Sequence, residues 1–212
     1  MKKKLEHDFL DLNYDASERL SDLVKFLEHM ELYLEEDKKW FREEGHVDLD
    51  IEYKPLLENT IPSILYSSVT LAIIIQLEVY LRQFCRNLET RFSLKLSLND
   101  LSGSTIEKFR RYSENVSELK IPFKRVSWED VLGMFEIRNC LIHQDGDMNN
   151  FPKQTVVRSF FQRHNIEFPN DFKLKMDKRV CELVLELATA FVEDIYEAVR
   201  VREGQSCIQK SS

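Results

Sequence analysis

Apolar residues recur every three or four positions along most of the chain, which is the spacing of amphipathic α-helices. Residues 15–18 resemble a capping box, with an aspartate followed three positions later by a glutamate. The pattern predicts a first helix from there to near Gly45. Residues 1–14 are predicted to be a loosely held lead-in. Residues 46–59, which lack a clear period and contain Pro55, are predicted to connect this helix to the next.

A second, longer helix is predicted from Thr60 to about Phe92. Proline is tolerated in a first helical turn, so Pro62 suits this start. From Ile64 to Leu81 the helix is apolar almost all round. A helix of that composition belongs in the middle of a bundle.

Serine caps mark the two helices that follow. Ser104 and Glu107 form a capping box that opens a short helix through about Val116. Ser127 caps the next helix, in which Gly133 permits close packing against a neighbour at a cost of about 1 kcal/mol in helix propensity. The Asp-Gly pair at 145–146 ends that helix.

The rest of the chain is predicted to be loops, with a short hairpin near 151–175, and a final helix over 176–202 that Gly204 ends. These elements indicate an all-α fold, a bundle of four to five helices around one core. The predicted organisation is an N-terminal helical extension over 1–59, a helical domain over 60–203 and a disordered tail over 204–212.

The chain has 212 residues and a formal net charge of −7. That charge argues against a protein that coats nucleic acid through bulk electrostatics, so any RNA site must be a local patch. The best candidate for such a patch is Lys120, Lys124 and Arg125, near Pro122. A scattered, solvated surface is the alternative for these cations.

Neither a metal site nor a membrane segment is expected. The four cysteines are widely spaced, without the paired ligands that zinc needs, and no cofactor is predicted. The basic N-terminus is followed by acidic residues and not by an apolar region, so it is not a signal peptide. The most apolar run, residues 69–77, is too short to span a bilayer. We therefore expect a cytoplasmic protein.

Residues 135–146 hold the strongest candidate chemistry. Arg138 and His143 are five positions apart, roughly 140° around a helix, so they flank one groove. Arginine binds phosphate oxygens through its planar fork, and histidine transfers protons near neutral pH. The last turn of a helix favours a positively charged imidazole. Asn139, one turn before His143, is placed to orient the histidine or a phosphate.

The run from Ile137 to Gly146 resembles the signature of HEPN domains, which are all-α domains with an arginine, four to six residues and a histidine. The apolar helix that contains Glu78 is similar to the central helix of that family. The resemblance implies an endoribonuclease that needs no metal and cleaves RNA at a composite site of a homodimer. It also implies a toxin or an antiviral-defence effector, with an antitoxin or defence-system protein as a possible partner.

Several alternatives stay open. A non-catalytic HEPN module, serving as a sensor or partner subunit, is the rival function, and a toxin held inactive by its partner is a third. Glu78 either pairs with Arg82 one turn on or contacts the motif helix and orients Arg138 or His143. Three aromatic residues near the basic patch either stack on bases or pack in the core; they are Tyr112, Phe123 and Trp128. A looser copy of the motif, at positions 158 and 164, has a serine after its arginine and lies in a poorly periodic region, so it is set aside as a chance match.

Overall fold

The computed structural model describes residues 2–43, 50–168 and 173–208, and these are predominantly helical. The α-helices are α1 (Lys2–Glu43), α2 (Asp50–Pro55), α3 (Ile61–Phe92), α4 (Thr105–Arg111), α5 (Trp128–Gln144), α6 (Gln154–Arg163) and α7 (Lys178–Ile208). Single π-helical turns, Leu56–Thr60 and Tyr112–Val116, follow α2 and α4, and Leu98–Asp100 is a short 3₁₀ turn. Across the described ranges there is no β-strand, only an isolated bridge between Asp147 and Lys173. The predicted all-α fold is confirmed.

The N-terminal part of the chain is more helical than its sequence pattern predicts. The predicted lead-in over 1–14 is wrong from Lys2 onward, since α1 begins there. Phe9 is buried, and its ring lies 5.4 Å from that of Phe84 on α3. This contact holds the start of α1 against α3, although the local periodicity of residues 1–14 does not indicate a helix. The predicted loop is also wrong over 50–59, which α2 and a π-helical turn occupy; residues 46–49 lie outside the described part.

Helices α1 and α3 pack in an antiparallel pair. Phe9, near the start of α1, meets Phe84, near the end of α3. Further along α1, Glu31 accepts a hydrogen bond of 2.8 Å from Tyr66, near the start of α3. From Phe9 to Leu34, the buried side chains of α1 belong to the same hydrophobic core as those of α3, α5 and α7. The division at residue 59 stays a prediction, but α1 is built into the core of the bundle.

The centre of the bundle is α3, as its apolar pattern predicts. Ile73, Ile74 and Leu81 are completely buried. The helical turns before α3 extend it to a span over Tyr53–Phe92, which by length and composition is apolar enough to cross a membrane. In the most apolar 18-residue stretch of this span, 44% is buried inside the protein. The apolar span is thus longer than the run over 69–77. A core helix passes the same criterion, so this is weak evidence, and the cytoplasmic location stays a prediction.

The predicted hairpin near 151–175 is wrong over the described residues, because α6 occupies 154–163 and residues 166–168 form no strand; residues 169–172 lie outside the described part. Val157, Phe160 and Phe161 fall at the helical spacing of three and four, and all three are buried. The close approach predicted at Gly133 is confirmed. A Cβ atom there would lie 2.4 Å from Cδ2 of Phe160, so α6 packs directly on the bare backbone of α5.

The last helix is longer than its sequence pattern predicts. α7 continues through Gly204 to Ile208, so the predicted end at Gly204 is wrong. Residues 209–212 of the predicted tail lie outside the described part. Val184, Phe191 and Ile195 of α7 are fully buried, as the periodicity of the segment predicts.

Candidate functional site

Both ends of α5, the helix that carries the candidate motif, are fixed by local structure. At its start, the backbone N–H of Asp130 donates a 3.1 Å hydrogen bond to Oγ of Ser127, which confirms the predicted cap. At its end, Asp145 has a φ of 49° and Gly146 a φ of 77°. A Cβ atom on Gly146 would lie 2.9 Å from the carbonyl oxygen of Leu174, so glycine suits this turn for two reasons. His143 is thereby placed in the last turn, and Asp145 is a turn residue, as expected.

Arg138 is held by two neighbours. Its Nη1 donates a 3.0 Å hydrogen bond to Oδ1 of Asn139, and its Nη2 lies 3.6 Å from Oε2 of Glu78 on α3. The Arg138 side chain is 26% exposed, and its Nε is buried without a hydrogen-bond partner among the described residues. The guanidinium is therefore fixed in direction by two partners, and its Nε is buried.

Glu78 combines both of the interactions considered for it. Its Oε1 accepts hydrogen bonds from Arg82 at 2.6 Å and from the hydroxyl of Thr105 at 2.7 Å, while Oε2 faces Arg138. The side chain is 14% exposed. Burial raises the pKa of Glu78, but the hydrogen bonds from Thr105 and Arg82 and the charge of Arg138 outweigh burial and hold that pKa below its ordinary value. The group is a carboxylate at neutral pH that orients Arg138.

A second carboxylate extends the same network. Nδ2 of Asn139 donates to Glu136 at 3.2 Å, and Lys153, just before α6, donates to the other oxygen of Glu136 at 2.8 Å. Glu136 is buried. Lys153 also lies 3.8 Å from Glu107 on α4. Helices α3, α4 and α5 and the residue before α6 thus share one chain of polar contacts that runs through Arg138.

Glu136 and Lys153 were not among the predicted site residues. A signal for Glu136 was present, since it stands between Phe135 and Ile137 on the apolar side of α5. A buried carboxylate needs a partner, so the position of Glu136 indicated a cation nearby. The local sequence does not indicate that this cation is Lys153, because their contact depends on how α6 packs against α5.

His143 is set apart from this network. Its side chain is exposed, and within the described part of the chain no hydrogen bond or ion pair is made to it. The amide of Asn139 is engaged by Arg138 and Glu136, so it does not orient the imidazole, which was one role considered for it. Arg138 and His143 lie on adjoining sides of α5, and exposed Ile142 lies between them. The end of α5 therefore presents the fixed guanidinium of Arg138 and the accessible imidazole of His143.

The predicted RNA-binding patch lies elsewhere, near the start of α5. Lys124 pairs with Glu197 at 2.6 Å, and Arg125 pairs with buried Asp194 at 3.0 Å. Lys120 is exposed. The patch adjoins residue 128, from which His143 is displaced by about 22 Å along the helix axis. The structure therefore does not bring the patch and the motif together, and two of its three cations are neutralised by α7.

The neighbouring aromatic residues serve the core. Tyr112 is fully buried, and the Phe123 ring stacks at 6.1 Å on Phe191 of α7. Trp128 meets Phe123 edge-on at 5.9 Å and carries the guanidinium of Arg110 over its ring. These contacts favour the packing interpretation over base stacking.

The looser copy of the motif is occupied in other contacts. The guanidinium of Arg158 lies 4.4 Å from the ring centre of Phe168. His164 shares a 3.0 Å contact with Asp130, a carboxylate that Arg163 and Ser127 also contact. This arginine and this histidine therefore serve different structural contacts, which agrees with setting the copy aside.

Three of the four cysteines have side chains that the structure describes, and all three are buried thiols. Cys85, Cys140 and Cys181 are free and buried. Burial raises the pKa of Cys140 and of Cys181 to about 11 in each case. No group of three or more potential metal ligands occurs in the portion of the chain that the structure describes.

Comparisons with protein-family models, with curated proteins and with solved structures returned no match. The chemistry of the α5 site is therefore argued from its own geometry.

Proposed function

We propose that this protein is a metal-independent endoribonuclease of the HEPN type that cleaves RNA at a composite site formed by two copies. The observation that carries the proposal is the pairing of a fixed arginine with an accessible histidine at one helix end. Arg138 is oriented by Glu78 and Asn139, and His143 is exposed five residues later. A toxin or antiviral-defence role follows from the resemblance in the motif.

The two side chains supply what RNA cleavage needs. RNA carries its own nucleophile, the 2′-hydroxyl, so a proton acceptor, a proton donor and a stabiliser of the pentavalent phosphate suffice. His143 transfers the protons, and Arg138 stabilises the negative charge that develops on the phosphate oxygens. Because the guanidinium is already held by Glu78 and Asn139, it needs little reorganisation as the phosphate changes geometry. The products are a 2′,3′-cyclic phosphate and a free 5′-hydroxyl.

The surface around the motif supports a homodimer. Ile142 on α5 is exposed beside Arg138 and offers an apolar contact for a second copy. A second copy placed here would bring its own arginine and histidine to the same cleft.

Incubating the pure protein with mixed RNA in the presence of a chelator tests the proposal. We expect products that end in 2′,3′-cyclic phosphate, and a fall in rate of at least about 100-fold in His143→Ala. His29→Ala, which removes an exposed histidine from α1, is the matched control and should cleave normally. Undiminished cleavage by a pure, folded His143→Ala protein contradicts the assignment.

A non-catalytic HEPN module is the second candidate, and one observation favours it. The charge of Arg138 is already countered by Glu78, and the chain as a whole carries a net charge of −7, so little attraction is left for RNA. In that case the motif stabilises an interface with a second copy or with a partner such as an antitoxin. The two candidates differ in the same assay: the module forms the assembly but yields no cyclic-phosphate product.

A further inference from the structure

The outer surface of α1 carries a stripe of aromatic residues. Phe26, Tyr33 and Trp40 are 50%, 52% and 53% exposed. They are seven positions apart, which is close to two helical turns, so they lie on one side of the helix over about 21 Å. The edge of the Tyr33 ring is supported by the imidazole of His29 at 4.8 Å.

This aromatic stripe is separate from the side of α1 that builds the core. Leu20, Leu27 and Leu34 also repeat every seven residues, and these are buried. Phe26, Tyr33 and Trp40 each stand one position before a buried residue of α1, so the two stripes are roughly 100° apart. The inner stripe accounts for the attachment of α1 to the bundle. The outer stripe is not needed for that attachment.

Acidic residues border the aromatic stripe. Asp22 lies one turn before Phe26, while Glu36 and Asp37 lie within one turn of both Tyr33 and Trp40. Asp22 pairs with Lys25 at 3.0 Å. For Glu36 and Asp37, by contrast, no ion pair occurs among the residues whose placement is described. Residues 9–43 hold ten acidic and five basic side chains, a net −5 out of the −7 of the whole chain.

We propose that this stripe docks a basic amphipathic α-helix of a partner protein. Apolar residues on one side of such a helix would cover the three aromatic rings, and lysines or arginines at its edges would meet the acidic border. A heptad spacing on α1 is the spacing that a partner helix presents. A second copy of α1 would place acidic borders against each other, and an anionic membrane would be repelled by the same charges.

The inference does not depend on the ribonuclease proposal, because the stripe is on α1 and the motif is on α5. The probe is a synthetic helical peptide of about 18 residues, with leucines at one face and lysines elsewhere. A matched peptide carries glutamate in place of lysine. Binding of each labelled peptide to the full-length protein is measured by fluorescence anisotropy at two salt concentrations.

We expect the lysine peptide to bind, the glutamate peptide to bind at least about tenfold more weakly, and added salt to weaken the lysine peptide. The double variant Phe26→Ser/Tyr33→Ser should lose at least about tenfold in affinity for the lysine peptide. Leu32→Ser is the control, since Leu32 is an exposed apolar residue of α1 that faces another direction. The control variant should bind like the wild type.

Three outcomes overturn the proposal. The first is equal binding of the two peptides, or unchanged binding by the double variant with a native circular dichroism spectrum. The second is self-association of the wild type in sedimentation that the double variant abolishes, because the occupant is then a second copy. The third is binding to vesicles of anionic phospholipid that the double variant abolishes, because the surface then docks on a membrane.

Discussion

Replacing Glu78 with glutamine tests whether this carboxylate holds the candidate arginine. Glu78 accepts bonds from Arg82 at 2.6 Å and Thr105 at 2.7 Å and lies 3.6 Å from Arg138. A hydrogen bond to a charged group contributes about 1.5–3 kcal/mol, and glutamine keeps an acceptor while losing the charge. We therefore expect the free energy of unfolding to fall by about 1–2 kcal/mol. For a chain of this length that corresponds to a Tm roughly 3–6 °C lower.

A double-mutant cycle separates the contact with Arg138 from the other two. Glu78→Gln, Arg138→Gln and the double variant are compared by urea unfolding at neutral pH. We expect a coupling energy of about 1 kcal/mol between the two positions, because both side chains are partly shielded from water. Arg82→Gln is the matched control for loss of a cation beside Glu78. Its side chain is 57% exposed, so its own effect should be less than about 1 kcal/mol.

The pH dependence provides an independent check on the same carboxylate. The pKa of Glu78 is lowered in the folded protein, so its contribution to stability is fully present above the unfolded value of about 4.3. That contribution is lost as pH falls through the lower native pKa. Glu78→Gln should therefore flatten the stability curve in this acidic window. Additive single variants, with coupling below about 0.3 kcal/mol, together with an unchanged curve, would refute the view that Glu78 holds Arg138.

Three further predictions concern the frame of the site. Gly133→Ala should destabilise the fold by about 1–3 kcal/mol in thermal unfolding, although alanine is the better helix former, because its Cβ would meet Phe160 at 2.4 Å; a stabilised variant contradicts this. Burial raises the pKa of Asp130, but its hydrogen bonds with Ser127, Arg163 and His164 outweigh burial and lower that pKa. Asp130→Asn should therefore remove stability that is present above about pH 3.9 and lost as the pH falls below that value. Urea titrations at several pH values would show this loss. Arg125→Gln should lower Tm more than Lys124→Gln, because only the former leaves a fully buried carboxylate short of its cation; equal shifts contradict this reading.

Much of the bundle could be predicted from the sequence, because most of its helices are marked by local signals such as N-cap residues and apolar periodicity. Ser104 and Ser127 stand at the starts of α4 and α5, and the long apolar run forms α3, where the pattern places them. The misses have two causes. The start of α1 is held by Phe9, which packs on Phe84 of α3, and such a contact leaves no local periodicity. The short helix α6 does carry the helical spacing, at Val157, Phe160 and Phe161, but the prolines at 152 and 169 on either side of it favoured a loop.

The site was predictable to the same extent. Arg138 and Asn139 were named from the motif, and Glu78 was expected to pair with Arg82 or with the motif helix because a carboxylate in an apolar helix needs a partner. Glu78 contacts both, whereas the catalytic roles of Arg138 and His143 stay proposals. The basic patch could not be assessed from sequence, because the carboxylates that neutralise Lys124 and Arg125 come from α7, about 70 residues away.

The contrast between a fixed Arg138 and an exposed His143 has a consequence for the proposed ribonuclease. Within one copy the two side chains point to adjoining sides of α5, roughly 140° apart, so a phosphate gripped by the arginine does not have to face the histidine of the same chain. A second copy across an apolar contact at Ile142 would bring a fixed cation from one chain towards an accessible imidazole of the other. A substitution that breaks the dimer would then abolish cleavage while leaving the Glu78–Arg138 contact in place. Glu78→Gln should do the reverse, impairing cleavage within an intact dimer, and the two defects are distinguishable by sedimentation.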